Sequence, residues 1–166
     1  MKKLFLGIGI GIILSCLVLT FIDFQNTNTS LNMPLSFSGN SIAVEKNSPA
    51  DRIKQSDIHV LNDKVVIDIE NPEWAMFTDT NSMDPLFDSG SNAIELVPKS
   101  EQEIQAGDIV SYKSEYADGI IIHRVAKIGT DEDGWFAVMK GDNNPTADPG
   151  KVRFDQIQRV VVAIVY

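Results

Sequence analysis

The chain has 166 residues, 43% of them hydrophobic and 22% charged, enough for one domain with a core plus a tail and ordinary for a folded protein. Fourteen Lys and Arg stand against twenty-three Asp and Glu, and the resulting charge of -9 removes nonspecific attraction to a phosphate backbone, so nucleic acid is not expected as a partner. The single cysteine, Cys16, excludes an intrachain disulfide and a cysteine-built zinc site.

Leu4 to Ile22 carry no charge, with Lys2 and Lys3 before them and Asp23 after them. As a helix, that run is long enough to cross a hydrocarbon core of about 30 Å. The two lysines place the N-terminus in the cytoplasm and the bulk of the chain on the outer, trans face of the cell membrane. A removable signal peptide also has a basic start, but its apolar part usually runs only about 7 to 15 residues. Asp23, Phe24, Gln25 and Asn26 moreover offer no small-x-small cleavage site. A lipid-modified Cys16 fits poorly too, because apolar Leu17 to Ile22 follow it where a polar stretch should begin. The expectation for residues 1–24 is therefore a cytoplasmic end and a retained single-pass anchor in contact with membrane lipid.

Residues 25–57 are rich in Asn, Ser, Thr and Pro and show no helical or strand period, which reads as a linker or stalk, with Leu35 to Val44 the part able to dock on a domain. From Ile58 to Tyr166 the pattern changes to short Val- and Ile-rich stretches separated by Gly, Asp, Asn and Pro. Strands are expected at Val65–Ile69, Trp74–Thr80, Asn92–Val97, Ile109–Tyr112, Ile120–Ile128, Trp135–Lys140 and Val160–Val165. Turn chemistry joins them at Asp88-Ser89-Gly90, Ala106-Gly107-Asp108, Ala117-Asp118-Gly119 and Asp131-Glu132-Asp133-Gly134. The fold class is mainly β, an antiparallel sheet domain over 58–166 of about seven strands, with a helical turn near Pro85 or near Phe154 to Gln158.

Histidine chemistry has two candidates, His59 and His123. His123 lies in the apolar stretch Ile120-Ile121-Ile122-His123-Arg124-Val125, where a buried imidazole needs a partner, whether that partner is structural or catalytic. His59 has no such surroundings. Ser82 ends a strand in Asp79-Thr80-Asn81-Ser82-Met83-Asp84-Pro85. A serine there is ordinarily a turn residue, but a nucleophile is well placed where N–H groups freed from the ladder can face a developing oxyanion. The run from Lys140 to Gly150 is dense in turn formers and contains Asp142 and Asp148. It reads as a solvated loop or as one stitched to its own backbone and rigid enough to present a carboxylate. It lacks the ligand spacing of a calcium loop, so no metal and no cofactor are expected.

Taken in order, Ser82-Met83-Asp84-Pro85, Gly107-Asp108-Ile109-Val110, Ile122-His123-Arg124-Val125, Lys140-Gly141-Asp142-Asn143-Asn144 and Asp148-Pro149 resemble the type I signal peptidase family, in its archaeal and endoplasmic-reticulum branch that uses serine and histidine. The resemblance spans roughly Phe77 to Tyr166 and implies the β catalytic fold shared with LexA-like self-cleaving repressors, behind an N-terminal transmembrane helix. It implies Ser82 as nucleophile, His123 as general base, Asp148 as the orienting acid and Asp142 as a supporting acid. It also implies a hydroxyl two residues before the nucleophile, here Thr80, beside the backbone N–H of Ser82 as oxyanion donors. The substrates implied are signal peptides of exported preproteins, bound by strand addition along Ala75 to Thr80, and secretion machinery is the implied partner. Met76, Phe77 and Met83 would line the peptide pocket, or simply belong to the core. Asn81 stands where the family usually has Gly, and Ser91-Asn92 follow Gly90 where Gly-Asp is common, departures that alter a turn near the active centre.

Two rivals stand beside this reading. Self-cleaving repressor domains use lysine as base, where this chain has His123. A noncatalytic, membrane-tethered β module that binds extended peptides or serves as an assembly subunit would have no need for Ser82, His123 and Asp148 together.

Overall fold

Val and Ile stretches punctuated by Gly, Asp and Asn build two antiparallel sheets in a computed structural model that describes residues 47–166. The expected anchor, Cys16 and the stalk up to residue 46 lie outside the described residues. Among the described residues, no helix is long and apolar enough to cross a membrane.

A hairpin of β1 (Ile58–Val60) and β2 (Val65–Ile67) forms the small sheet. The main sheet contains β3 (Glu73–Met76), β4 (Asn92–Leu96), β5 (Ile109–Lys113), β6 (Ile120–Asp131), β7 (Gly134–Lys140) and β8 (Ile157–Val165). Its spatial order is β3-β4-β8-β5-β6-β7, so the C-terminal strand lies at its centre. Single turns of 3-10 helix occur at Gln55–Asp57, Glu101–Glu103 and Phe154–Gln156. The last of these falls within the helical turn expected from sequence.

Several strand ends differ from expectation by one to four residues, and three differences bear on the fold. The strand expected over Trp74–Thr80 ends at Met76, because Met76 pairs with Asn92, the first residue of β4, and nothing lies opposite the residues beyond. The last strand starts at Ile157 instead of Val160, since Ile157 and Arg159 already pair with Tyr112 and Ser111 of β5. Ile58–Val60 adds a strand by pairing with Val65–Ile67, which makes eight among the described residues.

Alternation along the strands divides the core. Val110 and Tyr112 of β5 join Val125, Met139 and Val160 in one cluster, while Ile109 joins Ala93 and Val161 in the other. Met83 and Phe87, on the turn after Ser82, are 2% and 5% exposed in that second cluster. Burying a side chain of either type contributes about 1.5–3 kcal/mol, which ties the serine-bearing turn to the sheet. Residues 47–52, within the expected stalk, also meet the β domain. The Ala50 N–H and the Arg52 guanidinium both reach the fully buried Asp108 carboxylate, at 2.8 to 2.9 Å.

Candidate active site

Four segments converge on Ser82. His123 sits in β6 opposite Val110, 8% exposed, and its Nε2 is 3.0 Å from Ser82 Oγ. Its Nδ1 is 2.5 Å from Asp148 Oδ2. A carboxylate can only accept, so Nδ1 carries the proton and the Nε2 lone pair faces the serine hydroxyl. The resulting chain runs Ser82 to His123 to Asp148, an arrangement in which imidazole can take the hydroxyl proton while the carboxylate stabilises the imidazolium.

Tyr112, which the sequence reading placed only within a strand, completes this arrangement. Its hydroxyl donates to the same Asp148 Oδ2 at 2.7 Å. Burial, and then Asp148 itself, push the phenol well above its ordinary pKa, so it stays a donor. The Asp148 N–H donates to Met139 O at 2.8 Å, fixing the carboxylate from the backbone side.

Asp142 lies elsewhere. Both its carboxylate oxygens accept from Arg124, from Nε at 2.7 Å and Nη2 at 2.6 Å, and Arg124 also donates to Gly107 O at 2.7 Å. That bidentate bond holds the guanidinium even further on the charged side. Asp142, expected as a supporting acid, makes no hydrogen bond to Ser82 or His123: its carboxylate is taken up by Arg124. Its loop nevertheless braces the serine. Asn143 N–H donates to Ser82 O at 3.0 Å, and Asn143 Nδ2 donates to Asn81 O at 2.9 Å.

The turn before the serine has its own geometry. Thr80 Oγ1 lies 3.2 Å from Ser82 Oγ. Asn81 has φ of 55°, the left-handed region in which Gly is easiest and Asn the next most tolerated. The departure from Gly at this position thus preserves the backbone conformation.

Ser82 and His123 open onto a cleft of about 670 Å³. One wall comes from β3 and the residues after it, including Met76 and Phe77, and the other from Ile120 to His123. Met76 is 68% exposed on the sheet edge, Phe77 is half-buried and stacked on Phe87 at 4.0 Å, and Met83 is both cleft lining and core. β3 pairs only with β4, and β7 joins β6 only from Arg124 onward, so both walls carry strand edges free of pairing among the described residues. Glu95, Ser111 and Arg159 also line the cleft. Burial pushes the Glu95 carboxyl above its usual range, with Arg159 opposing and Glu73 reinforcing the shift. His59 is exposed and pairs with Asp68 at 3.0 Å, remote in the hairpin sheet.

Comparison with known proteins gives one group of relatives. The chain is 39% identical over 72 residues to the signal peptidase complex catalytic subunit SEC11C of Canis lupus familiaris, Pongo abelii and Homo sapiens. The match covers 43% of this chain and 37% of each relative, so the chain spans well under half the length of the curated proteins it matches. No family model matches the chain, and no solved structure does.

Proposed function

We propose that this protein is a membrane-anchored serine endopeptidase that removes signal peptides from exported preproteins. The observation that carries the reading is the unbroken hydrogen-bonded chain from Ser82 through His123 to Asp148 at the mouth of the cleft. The partial similarity to signal peptidase catalytic subunits supports the choice of substrate.

In this reading an extended peptide adds to the edges of β3 and of Ile120–His123, which brings its scissile carbonyl against Ser82 Oγ. His123 Nε2 takes the hydroxyl proton as the C–O bond forms and gives it to the leaving amine as the C–N bond breaks; water, deprotonated by the same imidazole, then hydrolyses the ester and frees Ser82. Asp148, held by Tyr112, keeps the imidazole oriented. The Ser82 N–H and Thr80 hydroxyl stabilise the oxyanion. The uncharged run Leu4–Ile22 anchors the chain in the cell membrane, N-terminus in the cytoplasm, and holds the catalytic domain at the outer face where secretion machinery delivers preproteins.

The test is cleavage of a preprotein by the full chain in detergent, compared with Ser82→Ala and His123→Ala. Each substitution should lower turnover by about 10³-fold or more, and N-terminal sequencing of the product should locate one cut. Equal cleavage by all three proteins would assign the activity to a contaminant and leave the noncatalytic peptide-binding module standing.

A further inference from the structure

The cleft beside Ser82 has a floor that peptide-bond chemistry does not explain. Glu95 on β4 and Ser111 on β5 line it, are 2% and 1% exposed, and are its most buried polar residues. Glu95 Oε1 and Ser111 Oγ have no partner at full hydrogen-bonding geometry among the described residues, although the Ser111 hydroxyl stands near enough to Glu95 to oppose the effect of burial on its carboxyl. An unpaired buried polar atom costs free energy that an apolar residue of similar size would spare, so both groups lower stability where they stand. Neither touches Ser82, His123 or Asp148 by a hydrogen bond, so the reaction itself does not use them.

We propose that Glu95 and Ser111 form a hydrogen-bonding subsite that takes an uncharged polar side chain, a hydroxyl or an amide, from the bound peptide. This rests on the peptidase reading for its substrate and deepens it by naming a side-chain class. The charges around the pair select against ions. Arg159, already paired with Glu73 beside Glu95, is not free to take a substrate carboxylate, and burial makes an ammonium or guanidinium costly to desolvate there. Asp88 and Asp118 line the same cleft and, with Glu73, repel a carboxylate. A hydroxyl or amide can donate and accept in one place, which a carboxyl beside a serine hydroxyl can reciprocate. An apolar side chain seated against them leaves both unpaired, whereas a hydroxyl satisfies them.

Thr and Val have nearly the same shape, and peptides that carry one or the other separate hydrogen bonding from fit. Such pairs, varied in turn from the fourth residue before the scissile bond to the first after it, are cleaved by the full chain in detergent micelles. Binding of the same peptides, fluorescently labelled, is measured with Ser82→Ala. At one position the Thr peptide should exceed the Val peptide by about tenfold in kcat/KM and in affinity. Ser111→Ala and Glu95→Leu should bring that ratio close to one, and Glu95→Gln, which keeps a donor and an acceptor, should preserve it. Thermal unfolding of each variant checks that it is folded, and Ser111→Ala, the smaller change, decides the matter if Glu95→Leu is not. Cleavage with no Thr preference at any position, or a preference that survives in Ser111→Ala, would overturn the subsite and leave the peptidase reading intact. A Thr preference in binding without cleavage of any peptide would overturn the peptidase reading and leave the subsite.

Discussion

Around Ser82 the side chains carry different weights, and Thr80 is the one whose role is open to direct measurement. Its hydroxyl lies 3.2 Å from the serine hydroxyl, and a donor aimed at the developing oxyanion acts in the transition state more than in the bound substrate. Thr80→Val, which keeps the shape and removes the hydroxyl, should lower kcat about 10²-fold with KM within about threefold. Unchanged kcat would remove Thr80 from the mechanism. Asn81 makes a separate demand, on the backbone. With φ of 55°, Asn81→Gly should leave both stability and kcat within about twofold. Asn81→Val should cost about 1–2 kcal/mol, read as a lowered midpoint in urea unfolding, because a β-branched residue resists the left-handed region. Position alone left Ser82 readable as a turn residue and His123 as a core histidine; it was the ordered motifs of the resemblance that implied their roles. Position did not separate Asp148 from Asp142 either, since both lie in one turn-rich loop; the resemblance implied orienting and supporting roles for them, and only the fold shows that Arg124 claims Asp142. Tyr112 escaped because a tyrosine ending an apolar strand looks like core, and its hydroxyl's target is 36 residues away.

At the scale of elements, the 141–144 loop acts as a brace for the turn that carries the serine. A Cβ on Gly141 would lie 2.7 Å from Ser82 O and from Asn144 Nδ2, closer than real Cβ atoms come. One of these neighbours is backbone, so the strain cannot be relieved by a side-chain rotation alone. Gly141→Ala should push the serine turn away from His123 and lower kcat by about tenfold to a hundredfold, with binding of the peptide to the cleft much less affected. Circular dichroism that matches the wild type would confirm that the change is local, and full activity would show that the brace is dispensable. The strands themselves were legible because short apolar stretches bounded by Gly and Asp specify a packed sheet, as in β5 and β7. Their ends were not, because a strand stops where its partner stops. Met76 ends β3 only because Asn92 begins β4, and that pairing is invisible until the chain is folded.

Across the whole molecule, the N-terminal end of the described chain is fastened to the sheet through one carboxylate. Asp108 is fully buried at the start of β5, and accepts from the Ala50 and Gln105 N–H groups and from two nitrogens of Arg52. Burial alone would raise its pKa, but these bonds outweigh it and hold the carboxyl below its usual value. The next residue back, Gly107, has φ of 105°, and a Cβ there would lie 2.3 Å from Ser48 O, so the N-terminal segment packs against bare backbone. A carboxyl whose folded pKa lies below its unfolded value of about 3.9 contributes stability that is complete at neutral pH and is lost as pH falls through the folded value. Asp108→Asn should therefore unfold more easily at pH 7, by about 3 kcal/mol, since it leaves Arg52 facing a neutral group. As pH falls below the unfolded value the wild type loses this advantage progressively, so the difference between the two proteins should narrow toward the acid end. Urea unfolding at several values between pH 3 and pH 7 measures it. A gap that stays constant across that range would mean that Asp108 acts through packing and hydrogen bonding alone, and that its charge does not fasten residues 50–52 to the sheet.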